Sequence, residues 1–403
     1  MRMSRRRLMG GAGSLLPGVA SAAIAPSTLP DRTRFPFRGV YLDAAFTHPV
    51  GDFAASAAAG YVAARRMDPQ AVGPRGNARR EAGAKFARLI NADPTDIAVT
   101  PSTLDAENLV NAALGIGPGA GVVTDALHYD GSLALYGELG RRGAPVGVVR
   151  PRDSRIDLAD VRALITRETR LIAVSLVSST TGFQHDLAEL CAMAHARDIL
   201  VYADIIQAAG AMPIDVRASG VDFAACGTYK WLMGDFGAAF LYVRPDRLDR
   251  LKRVQVGWRQ VTRQDSHVLP FEPPGPALGA YELSGGTAGL FEVSTPAWGA
   301  LAVVSASLDY ILGTGVEAIA RHRQPLVDHL QDVLQQRGFK PLTPRGSRGP
   351  IVAFAVRNAQ ARFDARLKGE GVRISTYEHR IRISPSVYNS PEDIERLVRV
   401  LTT

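Results

Sequence analysis

The chain has 403 residues, 46% of them hydrophobic, with 47 Lys and Arg against 39 Asp and Glu and a formal net charge of +8. That length accommodates one large α/β domain with a smaller companion, and beyond the first 25 residues no apolar segment is long enough to cross a membrane. Residues 1–25 hold four arginines and no acids, which leaves 43 basic against 39 acidic residues; with no basic stripe interleaved with aromatics, nucleic acid is excluded as a partner.

At the start, Ser4-Arg5-Arg6-Arg7-Leu8-Met9 resembles the twin-arginine export motif. A weakly apolar Gly/Ala-rich stretch follows from Gly10, and Ala20-Ser21-Ala22 offers a small-residue cleavage site, so cleavage is expected near Ala22 or Ala25. Twin-arginine export machinery carries folded proteins. The leader therefore predicts a bacterial periplasmic protein without a membrane anchor after cleavage. Of the two cysteines, Cys191 falls in a helical pattern with Leu187, Leu190 and Ala194, and Cys226 in an apolar strand. Both read as small core residues rather than as a bridge.

A Pro-rich arm (Pro26 to Pro36) leads to an extended Val40-Tyr41-Leu42-Asp43 and to helices over Phe53–Arg66 and Glu81–Leu89. Ile97–Thr100 opens the main sheet. It feeds Pro101-Ser102-Thr103 into a helix ending near Leu114, a turn whose free N–H groups and helix dipole favour an anion, although Ser and Thr there also serve as plain N-caps. The cluster Gly115-Ile116-Gly117-Pro118-Gly119 follows a helix and precedes a strand, the wrong order for a dinucleotide fingerprint. Strand Gly121–Thr124 ends in Asp125-Ala126-Leu127-His128-Tyr129-Asp130. Strands Val146–Val149 and Leu171–Val177 flank a helix over Leu158–Thr166, and helix Asp186–Arg197 leads to strand Leu200–Ala203. Asp204 stands at the carboxyl end of that strand, where α/β sheets bind ligands, with Gln207 three residues on. The apolar run Phe223–Cys226 then stops at Gly227-Thr228-Tyr229-Lys230-Trp231, and Ala238–Val243 is a further strand. Desolvation at such a turn lets a lysine shed its proton and act as a nucleophile. Strands alternating with helices of ten or more residues predict an α/β sheet.

Gln260 to Tyr281, rich in Pro and Gly, reads as an irregular loop over the site's mouth. A helix over Trp298–Leu312 leads into a small domain: helix Val316–Arg337, strand Ile351–Val356, helix Ala359–Lys368, strand Val372–Ser375, then Ile381-Arg382-Ile383-Ser384 and a last helix Pro391–Leu401. Arg382 alternates with apolar residues, so its guanidinium faces away from the core and can take a carboxylate bidentately.

The ordered set Asp204, Gln207 and Lys230, carried by DIIQAAGAMPIDV and CGTYKWL, resembles the class V aminotransferase family of fold-type I pyridoxal phosphate enzymes from about Phe37 to the C-terminus. The family includes cysteine desulfurases, kynureninases, isopenicillin N epimerase-like proteins and transaminases. The resemblance implies a large domain (51–296) with a mainly parallel seven-stranded sheet flanked by helices. It also implies a smaller α+β C-terminal domain (297–403), preceded by an arm (26–50) and the leader (1–25). Its implied cofactor is pyridoxal 5'-phosphate on Lys230, with Asp204 at the pyridine nitrogen, Gln207 at the phenolic oxygen and His128 stacked on the ring, or Tyr129 in its place. Ser102, Thr103 and Tyr229 hold the phosphate with the Thr295 of a second subunit, which implies a homodimer with shared sites. Ser294 replaces glycine in that Glu-Gly-Thr-Pro-like turn, and Ser179 stands where many relatives have a cofactor-binding asparagine. Arg382 is implied to hold the substrate's α-carboxylate. No metal is called for.

Persulfide transfer is argued against chemically: no cysteine follows Cys226, and Tyr229 replaces the histidine usual in desulfurases. Transaminase-like chemistry on an amino-acid or peptide-like amine ranks first and an isopenicillin N epimerase-like reaction second, with Tyr129 or His128 as the opposite proton donor. A β-elimination on a C–S bond stays open. A non-catalytic module that binds the cofactor is the reading from another class.

Overall fold

The computed structural model describes residues 28–70 and 77–403, so the stretch expected to be an export leader lies outside the described residues. A short β1 (Val40–Tyr41) precedes helices α1 (Asp52–Met67) and α2 (Ala78–Leu89). Strand and helix then alternate: β2 (Ile97–Thr100), α3 (Thr103–Leu114), β3 (Gly121–Asp125), α4 (Asp130–Arg141), β4 (Val146–Val149), α5 (Leu158–Ala163), β5 (Thr169–Ser175), α6 (Leu187–His195), β6 (Leu200–Asp204), α7 (Val216–Ser219), β7 (Phe223–Gly227) and β8 (Ala239–Val243). These strands form one seven-stranded sheet in the order β2-β8-β7-β6-β5-β3-β4. Strand β8 runs antiparallel to both neighbours; the other pairs are parallel. β3, β6, β7 and β8 are buried along their whole length, which is why they read as continuous apolar runs rather than alternating ones.

The register brings chemistry to one rim. Ser175 pairs with Asp204, and Asp204 with Ala225, so the carboxyl ends of β5, β6 and β7 line up. From β3 the chain goes outward to the edge strand β4 and returns across β3 to β5, which reverses direction and opens a crevice at those ends.

The rest of the chain gives β9 (Val261–Asp265), β10 (Ala280–Leu283), α8 (Gly286–Phe291), α9 (Trp298–Thr314), α10 (Val316–Gln336), β11 (Lys340–Pro341), β12 (Val352–Ala355), α11 (Ala359–Gly369), β13 (Val372–Arg373), β14 (Ser375–Thr376), β15 (Arg380–Ile383) and α12 (Pro391–Thr402). An antiparallel sheet β11-β12-β15-β14 carries helices on one face to make the small domain.

Three features differ from the sequence expectations. The stretch read as an irregular loop is an antiparallel hairpin of β9 and β10, whose largely exposed residues carry no apolar period to read. Helix α9 packs on α1 and α2, and Leu301, Val304, Leu308 and Ile311 belong to the large core, which therefore runs past residue 297. The arm is shared between domains: β1 pairs with β13, and Val40 and Leu42 enter the small core. Cys191 and Cys226 are both free and buried.

Candidate active site

Lys230 sits in the turn between β7 and β8, and that turn is tied down at several points. The Thr228 amide donates to Ala238 O (3.1 Å), the Gly234 amide to Thr228 O (2.8 Å) and the Met233 amide to Lys230 O (2.8 Å). Met233 has φ 56, a left-handed conformation that costs a non-glycine residue energy, and α9 clamps it through Ser307 Oγ donating to Met233 O at 2.8 Å. Gly210 lets the segment after Asp204 approach this turn, since a Cβ there would stand 2.3 Å from Trp231 O.

Lys230 is only 8% exposed, and among the described residues its Nζ has no hydrogen-bond or ion-pair partner. The Tyr229 ring centroid lies 5.6 Å away. Burial, opposed by Asp204 and helped by Arg382, lowers the amine's pKa from 10.5 to about 8. Asp204 is fixed through one oxygen, Oδ1, which accepts the Ile206 amide at 2.9 Å. Burial raises its pKa to about 6 against the pull of His128, that amide and Lys230. A weakened acid and a weakened base thus share the rim.

Around this pair, Thr103 Oγ1 accepts the Gly227 amide at 2.8 Å and ties the start of α3 to the end of β7. Ser102 caps α3, accepting from the Asp105 amide (3.1 Å) and donating to Asp105 Oδ2 (2.6 Å). The half-buried Tyr229 stacks on Phe236 at 4.7 Å, and burial pushes its phenol up to about 12. Gln207 donates to Ala45 O (3.0 Å) and accepts the Trp231 indole N–H (2.9 Å), so it locks the arm and the lysine turn together. From the small domain, Arg382 Nη1 donates to Ser179 O (3.0 Å), and Nη2 donates to Ser375 Oγ (3.0 Å) with Asp43 Oδ1 at 3.4 Å. Ser179 thereby meets Arg382 through its carbonyl.

His128 departs from its expected place. Its side chain has no accessible surface, so neither ring face is open for stacking. Nδ1 lies 2.8 Å from the Tyr129 amide nitrogen and 2.9 Å from Ser175 Oγ, and Nε2 lies 3.1 Å from Glu107 Oε1. Burial disfavours charge on this imidazole, but Glu107 together with Asp204 and Asp125 outweighs it and raises the pKa. Glu107, itself buried, is held below its ordinary value by His128 and by hydroxyls of Ser132 (2.6 Å) and Tyr136 (2.5 Å). His128 is therefore a support under the rim, and Tyr129, 44% exposed, is the aromatic left at the mouth. Thr295, expected to serve a second subunit's site, is exposed and lines a cleft of about 570 Å³ with Thr100, Pro101, Asp105 and Gly237.

Glu107, Asp43 and Ser175 were not singled out from the sequence. Glu107 had a readable sign, an acid in helical phase with Ala106, Val110 and Ala113 on the buried face of α3. Asp43 and Ser175 had none beyond standing at strand ends.

A family model described as Aminotransferase class-V matches residues 55–397. An uncharacterized aminotransferase, YcbU of Bacillus subtilis, is 29% identical over 316 residues, 78% of this chain and 80% of that protein. The isopenicillin N epimerase of Streptomyces clavuligerus is 30% identical over 344 residues, 80% of this chain and 83% of the epimerase. Among solved structures, the apo cysteine desulfurase from Thermococcus onnurineus superposes with a TM-score of 0.80 at 22% identity, covering 94% of this chain and 98% of that one. The cystine C–S lyase C-DES with its product cysteine persulfide gives 0.79 at 22% identity, covering 91% and 99%.

Proposed function

The chain belongs to the aminotransferase class-V family of pyridoxal 5'-phosphate enzymes, and we propose that it acts as a transaminase-like enzyme at Cα of an amino-acid or peptide-like amine. The residues at the rim fit that cofactor. Gly227 leaves a cradle that a Cβ would fill, 3.0 Å from Ile206 Cδ1 and 3.1 Å from Thr103 Oγ1. Beside it lie an unpartnered lysine, a carboxylate with one oxygen uncommitted and the start of helix α3. Lys230 would hold the cofactor covalently. Asp204 would face its ring nitrogen, and Thr103, Tyr229 and the free N–H groups of α3 would take its phosphate. Bound there, the cofactor supplies an electron sink for the carbanion at Cα.

The chain's own residues do the rest. Arg382 binds and orients the substrate carboxylate, giving up part of its contact with Asp43. Released when the substrate amine takes its place, Lys230 Nζ, whose pKa burial lowers to about 8, removes the Cα proton and carries it on one face. Asp204 holds its charge in a water-poor place, supported by His128. The observation that carries the transaminase reading is that one buried base serves one face, while the closed His128 is withdrawn as a second proton donor. Persulfide transfer is disfavoured because the two cysteines are buried, and burial raises both thiols well out of the thiolate range.

A second reading, epimerisation, has its own observation: Tyr129 stands half exposed at the mouth and could return a proton from another side. The visible spectrum with an amino-acid panel separates the two. Conversion to the pyridoxamine form with release of a keto acid supports transamination. Cα deuterium exchange with inversion and no such conversion replaces it by epimerisation, and release of sulfide or pyruvate replaces it by lyase chemistry.

Two further readings belong to the same proposal. The leader at Arg5 and Arg6 supports twin-arginine export to the periplasm, and unchanged export of the Arg5→Lys/Arg6→Lys chain would remove it. Thr295 supports a homodimer with shared sites, and a monomer in sedimentation would remove that.

A further inference from the structure

Resting on the reading that Lys230 holds the cofactor and Arg382 the substrate's α-carboxylate, we propose that Arg380 and Tyr377 form a second anion subsite, so that the substrate is an amino acid or peptide-like amine with a second carboxylate. Strand β15 alternates strictly. Ile381 and Ile383 are fully buried in the small-domain core, so Arg380 and Arg382 share the opposite face. The bonds of Arg382 to Ser179 and Asp43 turn that face toward the large domain and the rim. Two residues along a strand put the two arginines about 7 Å apart at the backbone. That spacing is too wide for one carboxylate to serve both and suits two carboxylates joined by a few carbons.

The two arginines are furnished differently. Arg382 has three acceptors around it. The Nε of each is buried without a hydrogen bond, but among the described residues no carboxylate lies within 4 Å of the Arg380 guanidinium, whereas Asp43 stands 3.4 Å from that of Arg382. Its neighbour is Tyr377, whose ring centroid lies 4.1 Å from the Arg380 guanidinium carbon and 6.0 Å from that of Arg382. The tyrosine therefore walls both cations on one side. Burial and the like charge of Arg382 both disfavour the cation, against Tyr377 and the more distant Asp130. A partly buried guanidinium beside a like charge, with a free donor and no anion, is an arrangement that a ligand carboxylate would relieve. Asp130 opens α4 directly after Tyr129, so Arg380 looks across the same mouth through which a substrate would reach Lys230.

The test uses the full chain loaded with pyridoxal 5'-phosphate and amine-free probes: succinate, glutarate and adipate against butyrate, valerate and hexanoate, with affinity read by calorimetry. At least one dicarboxylate should bind tenfold or more tightly than the monocarboxylate of equal carbon number, the range expected for a charge-assisted contact. Arg380→Gln should bring that ratio to about one. Arg380→Lys, which keeps the charge without the fork, should leave an intermediate ratio and controls for a folding defect. Equal affinities in the parent chain, or a ratio unmoved by Arg380→Gln, would overturn the subsite while the visible cofactor band persists. If no Lys230-dependent band forms at all, the underlying reading falls and takes the subsite with it.

Discussion

The depressed pKa of Lys230 makes a quantitative claim about how fast the apoprotein captures an aldehyde. Only the neutral amine attacks a carbonyl. With a pKa of about 8, roughly a tenth of the Lys230 side chains are neutral at pH 7, against about one in three thousand for a lysine at 10.5, an advantage of about 300-fold. The assay is a stopped-flow record of the visible band that grows when apoprotein meets pyridoxal 5'-phosphate, taken across pH 6 to 11. The same reaction with N-acetyl-lysine, run in parallel, removes the ionisations of the aldehyde itself. The ratio of the two rates should peak on the acid side and decline toward pH 10.5, with the protein's inflection near 8. Two substitutions then fix the cause. Asp204 holds the amine's pKa up and Arg382 pushes it down, so Asp204→Asn should move the inflection below 8 and Arg382→Gln above it. An inflection near 10.5 in the parent chain, or a move in the same direction for both variants, would refute the electrostatic account of this lysine.

The remaining predictions are direct. Lys230→Met should stabilise the apoprotein by up to about 3 kcal/mol at pH 7, the worth of a pKa displaced from 10.5 to about 8. The unfolded chain binds the extra proton between those values, so parent stability rises with pH through that window and the difference, read from urea unfolding, should vanish near pH 10.5. Gly227→Ala should cost about 1–3 kcal/mol of stability and lower cofactor affinity as well, because the new Cβ meets Ile206 and Thr103; equilibrium dialysis checks the second effect. Glu107→Ala should destabilise by about 3–5 kcal/mol by stranding His128, Ser132 and Tyr136 in the interior, read by the same urea titration.

Much of this architecture is legible in the amino-acid sequence because burial on both faces leaves an unmistakable trace. Runs such as Phe223–Cys226 and Ala238–Val243 have no polar interruption, and the structure starts and stops β7 and β8 within a residue of them. Asp204, Gln207 and Lys230 were findable for a related reason: a polar residue directly after an apolar strand stands at the sheet's rim whatever the tertiary details. The failures are of the opposite kind. Whether His128 shows a face to the crevice depends on Glu107, which lies on α3 and in a different turn of the chain, and no local pattern announces that pairing. The hairpin of β9 and β10 is held by backbone pairing between exposed polar strands, so it leaves no hydrophobic period. Arg380 was not singled out from the sequence, because what sets it apart is its contact with Tyr377 beside Arg382, which no local pattern announces.

The same distinction separates the floor of the site from its mouth. Glu107, His128, Asp204 and Lys230 come from α3, the turn after β3, the end of β6 and the turn after β7, and successive members favour opposite charges. In a buried setting each neighbour offsets part of the desolvation of the next, so a change at Glu107, His128 or Asp204 strands a charge and is costly, while Lys230 alone is kept at the expense of apoprotein stability. A floor built that way resists variation and can say little about which amine is processed. The mouth is under no such constraint. Tyr129 is exposed and Tyr377 and Arg380 partly so; the three lie outside that chain of charges and come from segments that meet only because β15 faces the rim. Selectivity can change there without disturbing Lys230, so on the proposed reading these three residues, rather than the conspicuous lysine and acid, set which amine is processed.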